Sequence, residues 1–171
     1  MVTCRGLRRW WINYGRGALV TKIKLVGPED HEILRNPMPE VFDLPVRDDL
    51  LREFLEDPRH HMAIAVEGES VVGFGSAVHY VHPDKEPELW INEVGVAPNH
   101  RRRGIGRDLV QALLDLAVEL GCREAWVLTE GENCAARRLY SLLGGVTPGS
   151  DPVMYSFALG RRTEPPGDGR Y

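Results

Sequence analysis

Long apolar runs are missing from this 171-residue sequence. Charges, glycine or proline interrupt every hydrophobic stretch before the ~18–20 residues that a bilayer-spanning helix needs. The first 24 residues hold arginines but no continuous apolar segment and no small-residue cleavage site, so no secretory signal is expected and the cytoplasm is the expected compartment. Cysteine is scarce as well: Cys4, Cys122 and Cys134 are odd in number, far apart and in no C-x-x-C spacing. That pattern excludes a disulfide framework and a zinc site and leaves reduced structural thiols. No internal repeat and no mid-chain linker is found, and 43% hydrophobic with 27% charged residues is an ordinary globular composition. One domain with a packed core is expected.

Acidic residues are absent from positions 1–24, which carry six basic groups, whereas the remainder holds 15 basic against 25 acidic residues. An acidic body lacks the clustered basic face of a nucleic-acid binder and suits a cationic, amine-bearing small molecule. A solvated acidic surface explains the same excess. Residues 1–20, with Trp10, Trp11 and Tyr14, show no period and read as a flexible arm, an added edge element or an overextended start. Residues 160–171 read as a loose tail rich in Gly, Pro and charge. The domain proper is expected over 21–159.

Between these ends strands and helices alternate. Strands are expected over 21–26, 61–66, 70–80, 88–96, 124–129 and 153–159, with a hairpin at Glu67-Gly68-Glu69. Short helices are expected over 29–35 and 46–55. The strongest helix covers 104–120, where Ile105, Leu109, Leu113, Leu116 and Leu120 recur at three- and four-residue steps and Gly121 comes next as a stop. Asn133 is expected to cap a last helix ending near Leu143. The order is an α/β mixture, antiparallel in its first half, with a crossover helix in its second.

The segment Val94-Gly95-Val96-Ala97-Pro98-Asn99-His100-Arg101-Arg102-Arg103-Gly104-Ile105-Gly106-Arg107 carries the chemistry. A helix start offers about four unpaired amides and a partial positive charge, and glycines let the backbone close on an anion. Neighbouring arginines add charge-assisted bonds to phosphate oxygens. The result is a pyrophosphate cradle. A Walker loop is excluded because no Gly-Lys-Ser/Thr is present, and a Rossmann fingerprint is excluded because Leu109 stands where its third small residue belongs. His100 in this turn is expected to face solvent.

Arg101-x-x-Gly104-x-Gly106 resembles the acyl-CoA signature of the GNAT acyltransferase superfamily. Val94-Gly95-Val96-Ala97-Pro98 before it and Asn133…Ala136-x-x-Leu139-Tyr140-x-x-x-Gly144 after it match that family's order and spacing. The resemblance covers about residues 21–159. It implies a GNAT-type fold: a mixed central sheet of about six or seven strands, splayed between the fourth and fifth around an acetyl-CoA site and flanked by about four helices. It implies that Val94, Gly95 and Val96 meet the pantetheine arm through their backbone. Arg101, Arg102, Arg103, Gly104, Ile105, Gly106 and Arg107 would hold the pyrophosphate, with Asn133 and Ala136 as further cofactor contacts. Tyr140 aligns with the tyrosine that protonates the departing thiolate; a packed aromatic between Leu139 and Leu143 is the alternative. Family members are often dimers, so a homodimer is among the implied assemblies.

Glu93 is the candidate base or ammonium anchor, because a carboxylate in a half-buried strand between Ile91 and Val94 is costly without a task or a partner. A structural salt bridge is its alternative. Within the superfamily, residues 89–159 most resemble the aminoglycoside 3-N-acetyltransferases, which implies an aminoglycoside amine as acceptor. Glu130, Glu132 and Asp151 then become rim contacts for a polycation, and His79 a residue of the acceptor side. The sequence departs from those enzymes in its basic N-terminal arm and in Glu93, where they would carry aspartate. Another small amine, a peptide amine, or a non-catalytic acyl-CoA-binding module would share the same loop.

Overall fold

The computed structural model describes residues 12–14, 21–149 and 154–155. Alternating apolar side chains build a six-stranded sheet in the order β1-β2-β3-β4-β5-β6. The strands are β1 (Ile12–Tyr14), β2 (Thr21–Leu25), β3 (His60–Glu67), β4 (Ser70–Tyr80), β5 (Glu88–Val96) and β6 (Glu124–Val127). All neighbours are antiparallel except β5 and β6, which run parallel and need a crossover. That crossover is α3 (Ile105–Glu119); the remaining helices are α1 (His31–Leu34), α2 (Asp48–Glu56) and α4 (Cys134–Leu142). The expected spans of 21–155 hold to within a few residues at each end. Two points differ. Ile12–Tyr14 add an edge strand to β2, so the expected splay falls between β5 and β6. Of the strand expected over 153–159, the described Met154 and Tyr155 are exposed and in no strand, and its other residues lie outside the described ones.

Each face of the sheet carries its own core. One face takes α3: Leu109 and Leu113 are fully buried against Ala63, Ala65, Ala77, Leu89 and Ile91. Gly75 allows that approach, since a Cβ there would sit 3.1 Å from Leu113 Cδ1. The other face takes α1, α2 and the loop between them, with Leu34, Val41, Leu51, Met62, Ile64, Val71 and Phe74 in one cluster. Each fully buried Leu or Phe contributes about 1.5–3 kcal/mol relative to exposure. Phe42 stacks on Phe74 with ring centroids 4.1 Å apart, which seats the loop around Val41 and Asp43 over β4. Asp48 binds His31, Arg35 and Arg52 at 3.2, 3.4 and 2.9 Å, tying α1 to the start of α2.

Two irregularities open one end of the sheet. Ser76 pairs with Glu93 and Ala77 with Ile91, so Asn92 is an extra residue, a β-bulge in β5. The β5–β6 register runs only from Glu88↔Glu124 to Ile91↔Val127. Beyond Ile91, β5 continues to Val96 while β6 has ended, and the two strands part. The parting leaves one edge of β5 open from Asn92 onward.

Among the described residues no helix is long and apolar enough to cross a membrane, and no group of three His, Cys, Asp or Glu is arranged to hold a metal ion.

Candidate active site

The loop before α3 is bent by two left-handed residues, Arg102 at φ 64° and Gly104 at φ 87°. Glycine adopts that region freely, whereas for Arg102 it costs on the order of 1–3 kcal/mol. The bend turns successive N–H groups inward as a concave nest at the positive end of a 15-residue helix. The first amide of the helix to find a carbonyl is that of Asp108, bonded to Gly104 O at 3.1 Å. Among the described residues the amides of residues 102–107 meet no acceptor.

The arginine side chains contribute less to this nest than their number suggests. Arg103 reaches Glu67 at 3.1 Å, and His100 Nε2 lies 2.7 Å from the same carboxylate, whose side chain is only 7% exposed. Arg107 donates to the buried Asp108 carboxylate through Nε at 3.0 Å and through its terminal nitrogen at 2.9 Å. Arg101 Nε donates to Val96 O at 2.9 Å. These bonds brace the loop against the β3–β4 turn and against β5, leaving the backbone as its anion-binding surface. His100 is therefore not solvent-facing as expected: its side chain is 14% exposed, because Glu67 draws it under the loop. Glu67 is a brace that sequence reasoning missed, since only the fold brings residues 36 positions apart into contact.

The open edge of β5 supplies the second element. Ala97 N–H bonds Val72 O at 2.9 Å across the sheet, so by strand alternation Val96 and Val94 direct their backbone groups to the side where β6 is missing. Val96 O is the exception to the expected set of free groups, being taken by Arg101. Gly95 faces the other loop: a Cβ there would strike the Val41 carbonyl oxygen and lie 2.7 Å from Phe74 Cε1. A Cβ at Gly106 would meet Leu139 Cδ2 at 3.6 Å and Val96 Cγ2 at 3.9 Å, so the helix start, α4 and the open edge converge at one point. Ile105 is buried beneath the nest.

Glu93 stands on the face opposite α3. Leu89 and Ile91 point into the α3-side core, and strict alternation would send residue 93 after them. The bulge at Asn92 reverses that parity, placing Glu93 with its partner Ser76 on the α1–α2 side. The strand is half-buried as expected, but the carboxylate is not confined by it: Glu93 is exposed on that face. Partial loss of hydration raises its pKa above the usual carboxylate range, and the Asp43 carboxylate raises it further. Asp43 is the second site residue that the sequence did not reveal. If Glu93 must be ionised to accept a proton, removing the Asp43 charge lowers its pKa and extends activity to more acidic pH. Asp43→Asn is expected to move the low-pH limb of kcat/KM downward; a limb that stays put or moves up would separate the two carboxylates.

Tyr140, on α4, packs against the α3-side core, and burial raises its pKa above the ordinary phenol value. Its hydroxyl makes no hydrogen bond to a described residue. Glu93 and Tyr140 so flank the open edge of β5 from opposite faces. Asn133 caps α4, its Oδ1 accepting from Ala136 N–H at 3.1 Å. Glu130 and Glu132 are exposed in the turn before that cap, where their carbonyls accept from Asn133 and Cys134 at 3.0 and 2.8 Å. Asp151 lies outside the described residues.

His79, expected on the acceptor side, does not share a face with Glu93. Its partner Leu89 is in the α3-side core, so the ring lies on the face opposite Glu93, stacked on His61 with 2.7 Å between His61 Nε2 and His79 Nδ1. Burial, then the neighbouring histidine, lowers His61 to about 4. Burial lowers His79 too. Both rings are neutral near pH 7 and make a packing pair.

A family model described as the acetyltransferase (GNAT) family matches residues 30–144. Streptothricin acetyltransferase of Streptomyces lavendulae is 33% identical over 99 residues, 58% of this chain and 50% of that protein. Aminoglycoside N(6′)-acetyltransferase type 1 of Salmonella typhimurium (strain LT2) is 30% identical over 90 residues, 49% of this chain and 62% of that protein. Among solved structures, an aminoglycoside acetyltransferase from an uncultured soil metagenomic sample, in complex with trehalose, superposes with a TM-score of 0.72 at 19% identity. The match covers 82% of this chain and 97% of that one. The chain spans about half the length of the curated relatives that it matches first.

Proposed function

The chain belongs to the GNAT acetyltransferase family, and from that premise we propose that it is an acetyl-CoA-dependent N-acetyltransferase for a primary amine of a small cationic molecule, an aminoglycoside in the first instance. The observation that carries this reading is the open edge of β5. It has a nest of bare amides at one end, Tyr140 on one face, and the Glu93–Asp43 carboxylates on the other. Residues 102–107 fit a pyrophosphate because their N–H groups lie at the start of a 15-residue helix and have no acceptor among the described residues. The backbone of Val94 and the Val96 N–H fit an extended amide-bearing arm, which takes the place of the strand absent there.

Acetyl-CoA supplies the activated acyl group. Every other contribution belongs to the chain. An ammonium is not a nucleophile, so Glu93 accepts its proton, directly or through a water, with its raised pKa bringing it closer to the amine's. Asp43 adds negative charge that draws the cation in and holds it beside Glu93. Tyr140 donates its phenolic proton to the departing sulfur, a donor and acceptor of comparable basicity. Neither described cysteine takes part: Cys122 is partly buried with a raised pKa, and Cys134 is exposed on the first turn of α4. The amine attacks directly, with no acyl-enzyme.

The test is release of CoA from acetyl-CoA with gentamicin, spermidine and a lysine-containing peptide offered separately, then NMR of the product. Release with gentamicin supports the aminoglycoside reading, and the product spectrum decides between the 3-amino group, which we assign, and the 6′-amino group. Release with the peptide alone makes the chain a protein acetyltransferase. Tight acetyl-CoA binding without release to any amine makes it a binding module.

A further inference from the structure

The face of β5 and β6 that carries Glu93 also carries two large aromatics that no step of the reaction uses. Trp90 pairs in register with Trp126, and the two indoles stack with centroids 5.3 Å apart and planes 7° from parallel. Trp90 keeps 38% of its surface exposed, between Leu89 at 0% and Ile91 at 2%. Its cross-strand partner is Val78, while that of Glu93 is Ser76, so indole and carboxylate share one face. They lie two β4 residues apart, roughly 7 Å along the sheet. The bulge at Asn92 creates this juxtaposition; without it Glu93 would lie on the face opposite Trp90.

The pair is held in place before any ligand arrives. Trp126 Nε1 donates to Tyr80 Oη at 2.8 Å, Tyr80 donates to Glu88 at 2.7 Å, and Lys85 closes the chain on Glu88 at 3.0 Å. Fixed, partly exposed indoles beside carboxylates suit a ligand with a flat apolar face edged by ammonium groups. The apolar face gains area burial and the cation gains attraction to the rings. A saturated amino-sugar ring has that form, with its CH groups on one side and its amines at the rim. A linear polyamine has the charge without the flat face.

We propose that Trp90, backed on one face by Trp126, offers its exposed surface as a stacking platform for a ring of the acceptor, setting that ring beside Glu93 and Asp43 and selecting amino sugars over linear amines. The proposal rests on the acetyltransferase reading and names the substrate class of that same site. A cross-strand aromatic pair also stabilises a short parallel pairing, and a merely structural role would show in melting temperature alone.

The experiment compares the wild type with Trp90→Ala and Trp90→Phe, using gentamicin and spermidine as acceptors and the melting temperature as a control for folding. Trp90→Ala is expected to lower the gentamicin-to-spermidine ratio of kcat/KM at least tenfold, with the KM for acetyl-CoA unchanged, and Trp90→Phe to retain most of the ratio. Gentamicin added with CoA is also expected to quench the tryptophan fluorescence of the wild type. A ratio unchanged in Trp90→Ala overturns the platform, as does a wild type that neither binds nor acetylates gentamicin. In either case transfer to spermidine, or binding of acetyl-CoA in a calorimeter, leaves the acetyltransferase reading standing. If acetyl-CoA itself does not bind, that reading falls, and the platform with it.

Discussion

Tyr140→Phe is expected to lower kcat by about 100-fold or more, the lower end of what general-acid catalysis contributes, while the dissociation constant for acetyl-CoA stays within twofold of the wild type. The substitution removes one oxygen. The half-buried ring keeps its packing against the α3-side core, and no hydrogen bond to a described residue is lost. Burial raises the phenol's pKa, so it remains a proton donor across the physiological range. Stopped-flow measurement of CoA release, set beside calorimetric titration of acetyl-CoA, separates the two quantities. A kcat within threefold of the wild type would assign Tyr140 to packing and leave the leaving group to be protonated by solvent.

Gly95→Ala has the largest expected effect on stability. The added methyl group meets a backbone carbonyl, that of Val41, and the edge of the Phe74 ring, which is itself fully packed under Phe42. A backbone atom cannot rotate away. Overpacking of this kind costs about 1–3 kcal/mol, which for a domain of this size lowers Tm by roughly 2–12 °C. The same push displaces the loop that holds Asp43, so the low-pH limb of the residual activity should move as it does in Asp43→Asn. Gly106→Ala is the control, since its methyl group meets only ordinary contacts of 3.6 and 3.9 Å. Differential scanning calorimetry decides: a Gly95→Ala melting temperature within a degree of the wild type would mean that the loop yields without cost.

The cradle is legible in the sequence because its chemistry is local. Glycine at 104, the arginines around it and the three- and four-residue apolar steps after it are a strand–turn–helix read from neighbouring residues, and α3 begins where they place it. The Asn133 cap is legible for the same reason. The arginine side chains are not. Their number suggests a ring of cations around a phosphate, but Glu67, Asp108 and the Val96 carbonyl hold three of them, and only the fold brings Glu67 to Arg103.

His79 and Glu93 show the same divide from the other side. Counting along a strand places both, and the count is reliable only while the pleat is unbroken. His79 obeys it and so lies on the α3 face. Glu93 does not, because one extra residue at Asn92 shifts every later side chain to the opposite face.

By itself the sequence determined the alternation of elements, the helix start with its unpaired amides, and the family signature that spans them. The first two depend on propensities and spacings within about ten residues, and the signature is a series of such local motifs in a fixed order along the chain. Tertiary structure alone decided which face Glu93 occupies, that Asp43 joins it, and that Trp90 and Trp126 lie beside it. Those outcomes depend on register between strands far apart in the chain, and a one-residue offset there costs little locally yet changes which side chains meet.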